Sequence, residues 1–334
     1  MENRQRGTKT DKSGRLKLYR AVAEPAKSVV KTHQNLVREI AEILEKVSQQ
    51  KSDWDLQYCS AIVEMLNAAL VEHPRFLLFA ARRRKNGLET SNRFSVLSHQ
   101  SIRCSIGMLG CCRAAGLSEN QVRLGALAGL VHNFGMALIP EEIVTKPAKL
   151  NRSELKKMRE HPNKGARIPQ IAQNGELAQI VGQARERNDG SGYPRGLKDS
   201  EIHPLAAFLH AIDLFEALTQ PRPYRESEAD YNALKIIHHW ENGRLQNRPA
   251  RALLEFYTVY PITTLVELNT RHRGKVVDTH EFAPLSPVLA VLQDANKNAY
   301  DEPWALDLNQ ERHFRIKRVI SEDRDLSALA SMIC

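Results

Sequence analysis

The sequence predicts a mainly α-helical protein, in which a helical bundle follows an N-terminal helical region and precedes a small antiparallel β unit. Apolar residues recur at helical spacing from residue 22 onward. Capped, apolar helices fill the middle of the chain, and short β-rich segments follow Tyr260-Pro261. We therefore divide the chain into a basic disordered arm, an N-terminal helical region, a helical domain and a β-rich extension, at residues 1–20, 21–90, 91–250 and 251–334.

The charge of the chain is unevenly distributed. The 334 residues carry a net charge of +9, and residues 1–20 hold seven Lys or Arg against two Asp or Glu, which predicts a disordered arm. A second basic cluster, Arg82–Lys85, has no accompanying aromatic pattern for base stacking, so nucleic-acid binding is not favoured. No apolar run approaches the ~20 residues that span a bilayer, and no signal peptide opens the chain. We expect a cytoplasmic protein without a membrane span.

Two amphipathic helices are expected in the N-terminal region. Each has apolar residues at 4-3-4 spacing, which are Leu36, Ile40, Ile43 and Val47 on the first and Cys59, Val63, Leu66 and Leu70 on the second. Such narrow stripes pack on each other or on a second subunit, so a homodimer through these helices is the alternative to packing within one chain. The five cysteines form no CxxC pair, which indicates reduced, buried thiols rather than a zinc site.

Two capping patterns mark helix starts in the middle of the chain: Ser118 with Gln121, and Asn151 with Glu154. The second helix is expected to end at His161, because Pro162 disfavours helical geometry at the residue before it. A loop is predicted at residues 189–192, helices at 205–218 and 227–247, and β segments at 264–268, 275–282, 287–293 and 313–320.

Four polar residues in the helical domain are candidate metal ligands by residue type alone: His99, His132, His161 and Asp213. A polar side chain on a buried helical face needs a partner, and three imidazoles with one carboxylate can bind a first-row divalent metal. Spacing alone does not establish that the four converge. A single His on an apolar helix is more often a satisfied core residue than a ligand.

Two motifs, Val131-His132-Asn133-Phe134-Gly135 and Arg187-Asn188-Asp189-Gly190-Ser191-Gly192-Tyr193-Pro194, resemble the signature halves of the HD-GYP family. Further matches follow in order at residues 141–147, at His161-Pro162 and at residues 213–225. The resemblance implies an HD-type helical bundle with a two- or three-metal site that hydrolyses cyclic di-GMP.

The family's metal ligands carry over only in part. Asn133 stands where the resemblance implies an Asp that bridges two metals, and Ala184 and Arg185 replace two paired histidines. A neutral amide is a poor bridging ligand, so a second ion would keep only His161. The resemblance therefore predicts either no metal or a single weakly bound divalent ion such as manganese or iron, at a residual site of His99, His132, Asn133, His161 and Asp213.

Other residues are implied to contact a ligand or partner. Arg222 and Arg225 match basic positions that hold phosphate, and Tyr193 matches the tyrosine of the GYP loop, which stacks or hydrogen-bonds. The family also uses this loop, here Gly192-Tyr193-Pro194, to contact diguanylate cyclase domains. The expected ligand is therefore cyclic di-GMP, and the expected protein partner is a diguanylate cyclase-type domain.

Arg185 has two interpretations. Its guanidinium replaces a metal charge and holds a ligand phosphate, or it pairs with a neighbour such as Glu186 or points into solvent. His210, three residues before Asp213, is either a substitute ligand or a packed helical histidine. The sequence leaves both pairs of alternatives open.

Three functional hypotheses follow. The first is a catalytically degenerate HD-GYP protein that regulates cyclic di-GMP signalling by protein contact or by nucleotide binding without hydrolysis. The second is an active metal-dependent phosphodiesterase, and the third is a basic adaptor or scaffold. Loss of metal ligands favours the first hypothesis over the second, because hydrolysis by paired ions needs both ions. Retention of Arg222, Arg225 and Tyr193 favours the first over the third.

Overall fold

The computed structural model describes residues 12–82, 92–219, 230–240, 245–257, 260, 262–280 and 285–320. Within its helices, only the backbone is described at residues 12–27, 75, 76, 79, 82, 230, 231 and 238–240. Helices dominate, and a five-stranded antiparallel sheet follows them, which confirms the predicted fold class. None of the helices within these ranges is long and apolar enough to cross a membrane.

Three helices form the N-terminal region: α1 (Lys12–Ser48), α2 (Leu56–Glu72) and α3 (Pro74–Arg82). Both predicted apolar stripes are buried in the core that they share with the central helices. One chain therefore buries these stripes without a second subunit. The chain is helical from Lys12, which corrects the predicted disordered arm for residues 12–20, whereas residues 1–11 and 83–91 lie outside the described residues.

The central helices carry the candidate site. Helix α4 (Arg93–Ala114) packs along α5 (Glu119–Val131), and a 3-10 turn (Phe134–Leu138) follows α5. Ser118 and Gln121 form the predicted capping box at the start of α5. Four short helices and one longer helix come next: α6 (Glu141–Val144), α7 (Arg152–Met158), α8 (His161–Ala166), α9 (Pro169–Ala172) and α10 (Gly175–Gln183).

Pro162 begins a helix instead of ending one. Asn151 and Glu154 form the predicted capping box of α7, but this helix ends at Met158. Helix α8 starts at His161 and has Pro162 in its first turn. The first N–H groups of a helix have no intrahelical acceptor, so a proline there costs no hydrogen bond. The prediction that one helix continues to His161 is therefore wrong.

Three more helices complete the helical part: α11 (Pro204–Thr219), α12 (Asp230–Trp240) and α13 (Asn247–Tyr257). Helix α11 confirms the helix predicted at residues 205–218. Helix α13 crosses the boundary predicted at residue 250, so the helical part extends to Tyr257. It packs on α4, where the ring of Phe256 fills the space above Gly110.

The sheet contains β1 (Leu265–Leu268), β2 (Arg273–Asp278), β3 (Val288–Gln293), β4 (Ala299–Asp307) and β5 (Ile316–Val319) in the order β4-β3-β2-β1-β5. It has its own apolar core, which includes Val266, Val276 and Leu289. Strands β1, β2, β3 and β5 overlap the predicted segments. The sequence did not predict β4, because Asp, Glu and Pro, which stand together at residues 301–303, are depleted in β-strands. Such residues are tolerated in an edge strand, and β4 is an edge strand of this sheet.

We expect Gly129→Ala to lower the free energy of unfolding by about 1–3 kcal/mol, the usual cost of overpacking a core. A Cβ at Gly129 would lie 2.8 Å from the carbonyl oxygen of Cys104, and backbone cannot move aside as a side chain can. Gly175→Ala is the control, since a Cβ there meets no atom within 4 Å. Urea denaturation of both variants measures the difference, and equal stability would contradict close packing of α4 and α5.

Candidate functional site

The candidate site lies where α4, α5 and α11 meet. Helix α11 contributes Asp213, His132 caps the end of α5, and α4 contributes Gln100 and Cys104 one turn apart. Arg185 enters from the segment after α10. The side chains of His132 and Asp213 are inaccessible to solvent, so any charge here needs a partner inside the protein.

An ion pair between Arg185 Nη1 and Asp213 Oδ2 lies at the centre of this site. Burial alone would raise the pKa of Asp213, but the Arg185 guanidinium, helped by His132, holds it well below its usual range. Gln100 Nε2 donates to Asp213 Oδ1 over 2.7 Å. The carboxylate is thus ionised and held by partners at both oxygens. Arg185 thus pairs with Asp213 and not with Glu186, and its contact with a ligand phosphate stays a prediction.

His132 and Asn133 lie beside this carboxylate. His132 Nδ1 donates to the carbonyl oxygen of Gly129 over 2.8 Å, and Nε2 lies 3.4 Å from Asp213 Oδ1. Asn133 is buried, and its Nδ2 finds no hydrogen-bond acceptor among the described residues. The amide therefore contributes no negative charge where a bridging carboxylate is implied.

Two further histidines face the Arg185 cation. Burial, reinforced by the positive charge of Arg185, lowers the pKa of His161 to about 3 and that of His210 to about 4. His161 Nδ1 donates to the carbonyl oxygen of Met158 over 2.8 Å. Both rings are therefore neutral near pH 7. His210 is buried on α11, with no hydrogen-bond partner for Nδ1 among the described residues.

His99 has a different neighbourhood. Its ring centroid lies 5.8 Å from that of His33 on α1. The group of potential metal ligands that the described residues bring together is Cys104, His132 and Asp213, whose ligand atoms all lie within 4.8 Å of one another. The sequence analysis missed Cys104 as a site residue. Cys104 lies four residues after Gln100 on the same face of α4. This spacing was the one indication in the sequence that Cys104 faces the site.

The GYP loop is held by a residue that the sequence analysis named only as a possible partner of Arg185. Glu186 is buried, and its carboxylate accepts from the backbone N–H groups of Arg195 over 2.7 Å and Leu197 over 3.0 Å. Gly192 packs so tightly that a Cβ would lie 2.3 Å from the nitrogen of Arg187. The loop therefore keeps its shape through bonds within the protein.

Tyr193 is half-buried at the edge of this loop. Its ring makes an edge-on contact with His161, at 6.1 Å between centroids, and the guanidinium of Arg159 lies 5.4 Å from the ring centre. Pro194 follows it across a cis peptide bond. Two predicted phosphate-binding residues, Arg222 and Arg225, lie outside the described residues, so their placement stays a prediction.

Comparison with known proteins identifies the family. An HD domain model matches residues 77–245, and a model of a KOW domain associated with HD domain matches residues 265–328. The chain belongs to the HD domain family. Its relatives confirm the resemblance to the HD-GYP group that the two motifs predicted.

Two relatives are cyclic di-GMP phosphodiesterases. One, from Pseudomonas aeruginosa, is 30% identical over 260 residues, which cover 77% of this chain and 60% of the relative. The other, a response regulator from Xanthomonas campestris, is 39% identical over 134 residues, which cover 39% of this chain and 35% of the relative. The chain thus spans at most about 60% of the length of these curated relatives.

A solved structure shares the fold. An HDG"Y"P protein from Bdellovibrio bacteriovorus superposes with a TM-score of 0.51 at 20% sequence identity, covering 68% of this chain and 70% of that protein. At this identity the likeness concerns the fold alone.

The two-ion centre implied by the family does not fit these residues. Asn133 is neutral, and its buried Nδ2 is a hydrogen-bond donor that cannot bind a cation. Asp213, the remaining carboxylate of the implied ligand set, already neutralises Arg185. A pair of ions needs a shared anionic ligand, and none is present among the implied residues.

Folding stability should fall on acidification because of the buried histidines. In the unfolded chain a histidine has a pKa of about 6.5, whereas burial lowers the pKa of His210 to about 4 in the folded state. Between these two pH values the unfolded state therefore binds more protons than the folded state. The contribution of neutral His210 to the free energy of unfolding is complete above pH ~6.5 and is lost as the pH falls toward 4. We expect His210→Met to flatten the dependence of unfolding free energy on pH between 4 and 6.5.

Denaturant titrations at several pH values measure this dependence. His203→Met, which replaces a less buried histidine, is the control. If the wild-type chain and His210→Met lose the same stability between pH 6.5 and 4, His210 is not the buried neutral group described above.

Proposed function

We propose that this protein is a regulator in cyclic di-GMP signalling that acts by binding and does not hydrolyse the nucleotide. The ion pair between Arg185 and Asp213 carries the proposal. A guanidinium with a buried carboxylate partner neutralises the charge that would otherwise attract a metal ion. It cannot lower the pKa of a bound water as a metal ion does, so it provides no nucleophile.

Burial of the site supports the same proposal. His132, Asn133, His161 and Asp213 are all buried, so their side chains present little surface to a phosphodiester in this conformation. Hydrolysis by paired ions needs both a clamp on the phosphate and an open coordination position. The pairing of Asp213 with Arg185 works against both.

The GYP loop supports a role in protein contact. Glu186 holds the loop backbone from the inside, and Arg159 and Arg195 are exposed beside it. Tyr193 supplies a half-buried aromatic ring with cationic neighbours, a combination enriched at binding surfaces. We propose that a diguanylate cyclase-type domain binds this surface, and that cyclic di-GMP binds through the phosphate-binding residues Arg222 and Arg225.

An active enzyme is the second candidate. Its support is the proximity of Cys104, His132 and Asp213, which together could hold one ion. A single ion generates a nucleophile in some hydrolases, so one-metal phosphodiesterase activity is the chemistry that this group would allow. Arg185 opposes binding of such an ion, because its positive charge is already paired with Asp213.

The purified protein should release no linear dinucleotide or GMP from cyclic di-GMP above the buffer blank, with manganese or iron(II) supplied. The reason is the missing bridging carboxylate at Asn133. Liquid chromatography of the products after long incubation measures turnover. Hydrolysis that is present in the wild-type protein and abolished by Asp213→Asn would contradict the proposal and select the one-metal enzyme.

We expect Tyr193→Ala to weaken binding of a diguanylate cyclase domain by about 1–3 kcal/mol, the range for loss of an aromatic anchor at an interface. Biolayer interferometry with an immobilised domain of that class measures the affinity. The control is Tyr58→Ala, which removes an exposed tyrosine from α2, far from the loop in sequence. Equal affinities of the two variants would exclude the GYP loop as the contact surface.

A further inference from the structure

We propose that a second copy of this chain binds along the exposed face of α2, so that two protomers associate through antiparallel α2 helices. This face carries Tyr58, Ala61, Met65 and Ala68, which we call the α2 stripe. It lies on the other side of α2 from the apolar residues that the helix buries in the core, so this contact differs from the dimer that the sequence predicted. The inference does not depend on the proposed function, since self-association is measured without nucleotide or partner.

Helix α2 is apolar on two sides. One side joins the core of the helical part, yet the α2 stripe on the exposed side has no charged residue. A helix at a protein surface normally presents polar residues to water. Tyr58 and Met65 are 48% and 50% exposed, and Val71 beside the stripe is 68% exposed. Three of the six large apolar side chains that are exposed among the described residues thus lie on this one helix, and such clustering marks a contact surface.

The spacing of the α2 stripe favours a second copy as the occupant. Its residues follow one another at intervals of three, four and three, the pattern of a seam between two helices, and large side chains alternate with small ones. An antiparallel pairing centred near residue 63 places Tyr58 of each protomer opposite Ala68 of the other, and Met65 opposite Ala61. Each large side chain then fills the space above an alanine, as facing layers of a packed core do. A two-fold interface needs a surface that complements itself, and this stripe meets that condition.

The charges beside the α2 stripe are compatible with this pairing. Glu64, next to Met65, would lie near the two-fold axis, where two like charges repel each other. Arg123 of α5 neutralises it, because Arg123 Nε lies 2.8 Å from Glu64 Oε1 at the protein surface. Two copies would therefore bring together two ion pairs without net charge, and each guanidinium also attracts the glutamate of the other protomer.

The size of the α2 stripe limits the strength of the association. A helix of 17 residues is about 25 Å long. One face of such a helix is smaller than the roughly 800 Å² that each partner buries in a stable complex. We therefore expect a dimer that dissociates in about the micromolar range. Binding of a protein partner to the GYP loop can be titrated below this range, so the two contacts are measured separately.

Sedimentation velocity over a range of protein concentrations measures the association. The wild-type chain should pass from monomer to dimer as its concentration rises. Met65→Lys should weaken the association by about tenfold or more, because pairing would then bury an uncompensated charge. The control is Leu155→Lys, which places the same charge at a 39% exposed leucine of α7 and should leave the association unchanged. Ala68→Glu is a second disruptive variant for the case in which Met65→Lys does not fold, and circular dichroism checks the folding of each.

Disulfide crosslinking tests the antiparallel pairing. In Ala61→Cys/Met65→Cys each new thiol faces one of the other protomer, so mild oxidation should give a covalent dimer. Ala61→Cys/Leu155→Cys is the control and should give none, as should the wild-type chain. A wild-type chain that stays monomeric at every concentration, or one that associates as strongly after Met65→Lys, would overturn the inference and leave the α2 stripe to a different partner. Absence of the covalent dimer from Ala61→Cys/Met65→Cys would overturn the antiparallel pairing.

Discussion

The ion pair between Arg185 and Asp213 is the interaction on which the charge of the site depends. Removing a carboxylate and a guanidinium from water costs several kcal/mol for each charge, so neither is tolerated there without the other. Their attraction keeps Asp213 ionised, and the positive charge of Arg185 favours the neutral forms of His161 and His210. The same pair joins the segment after α10 to α11. One interaction thus fixes both the charge and the packing of the site.

Two adjacent residues have different partners, one in the site and one in the GYP loop. Arg185 points into the helical core, whereas Glu186 turns the other way and binds the backbone of Arg195 and Leu197. Hydrogen bonds to Glu186 therefore hold the backbone of the GYP loop. This arrangement explains physically how a chain can lose metal ligands and still present an ordered loop. It also makes the shape of the loop depend on Glu186 and the charge of the site depend on Arg185.

The sequence predicted the features that depend on local patterns. The apolar stripes, the capping boxes at Ser118 and Asn151, and the helix that carries Asp213 all follow from periodicity and from side chains that bond within three residues. The end of a helix at His161 was wrong, because Pro162 suits the first turn of a new helix equally well. Strand β4 was missed, because its charged residues and its proline are tolerated only in an edge strand, and the position of a strand in the sheet is not visible in the sequence.

The composition of the site was less predictable than its position. The motifs selected His132 and Asp213, which the structure brings together at the ends and faces of helices that the sequence defines. The partner of Arg185 could not be inferred, because the adjacent Glu186 is nearer in sequence but is already used by the loop. The proximity of Cys104 to His132 and Asp213 could not be inferred either, because these neighbours come from α5 and α11 and no local spacing relates the three residues.

A guanidinium and a metal ion solve the same electrostatic problem in different ways. Each neutralises Asp213 in a low-dielectric interior, but a metal ion also accepts further ligands and activates water, whereas Arg185 is tethered and has fixed donors. An internal cation can therefore neutralise the carboxylate without supplying the chemistry of a metal ion. Because the guanidinium occupies only one oxygen of Asp213, the other oxygen stays directed toward His132. The two oxygens of one carboxylate thus have different partners, the guanidinium on one side and His132 with Gln100 on the other.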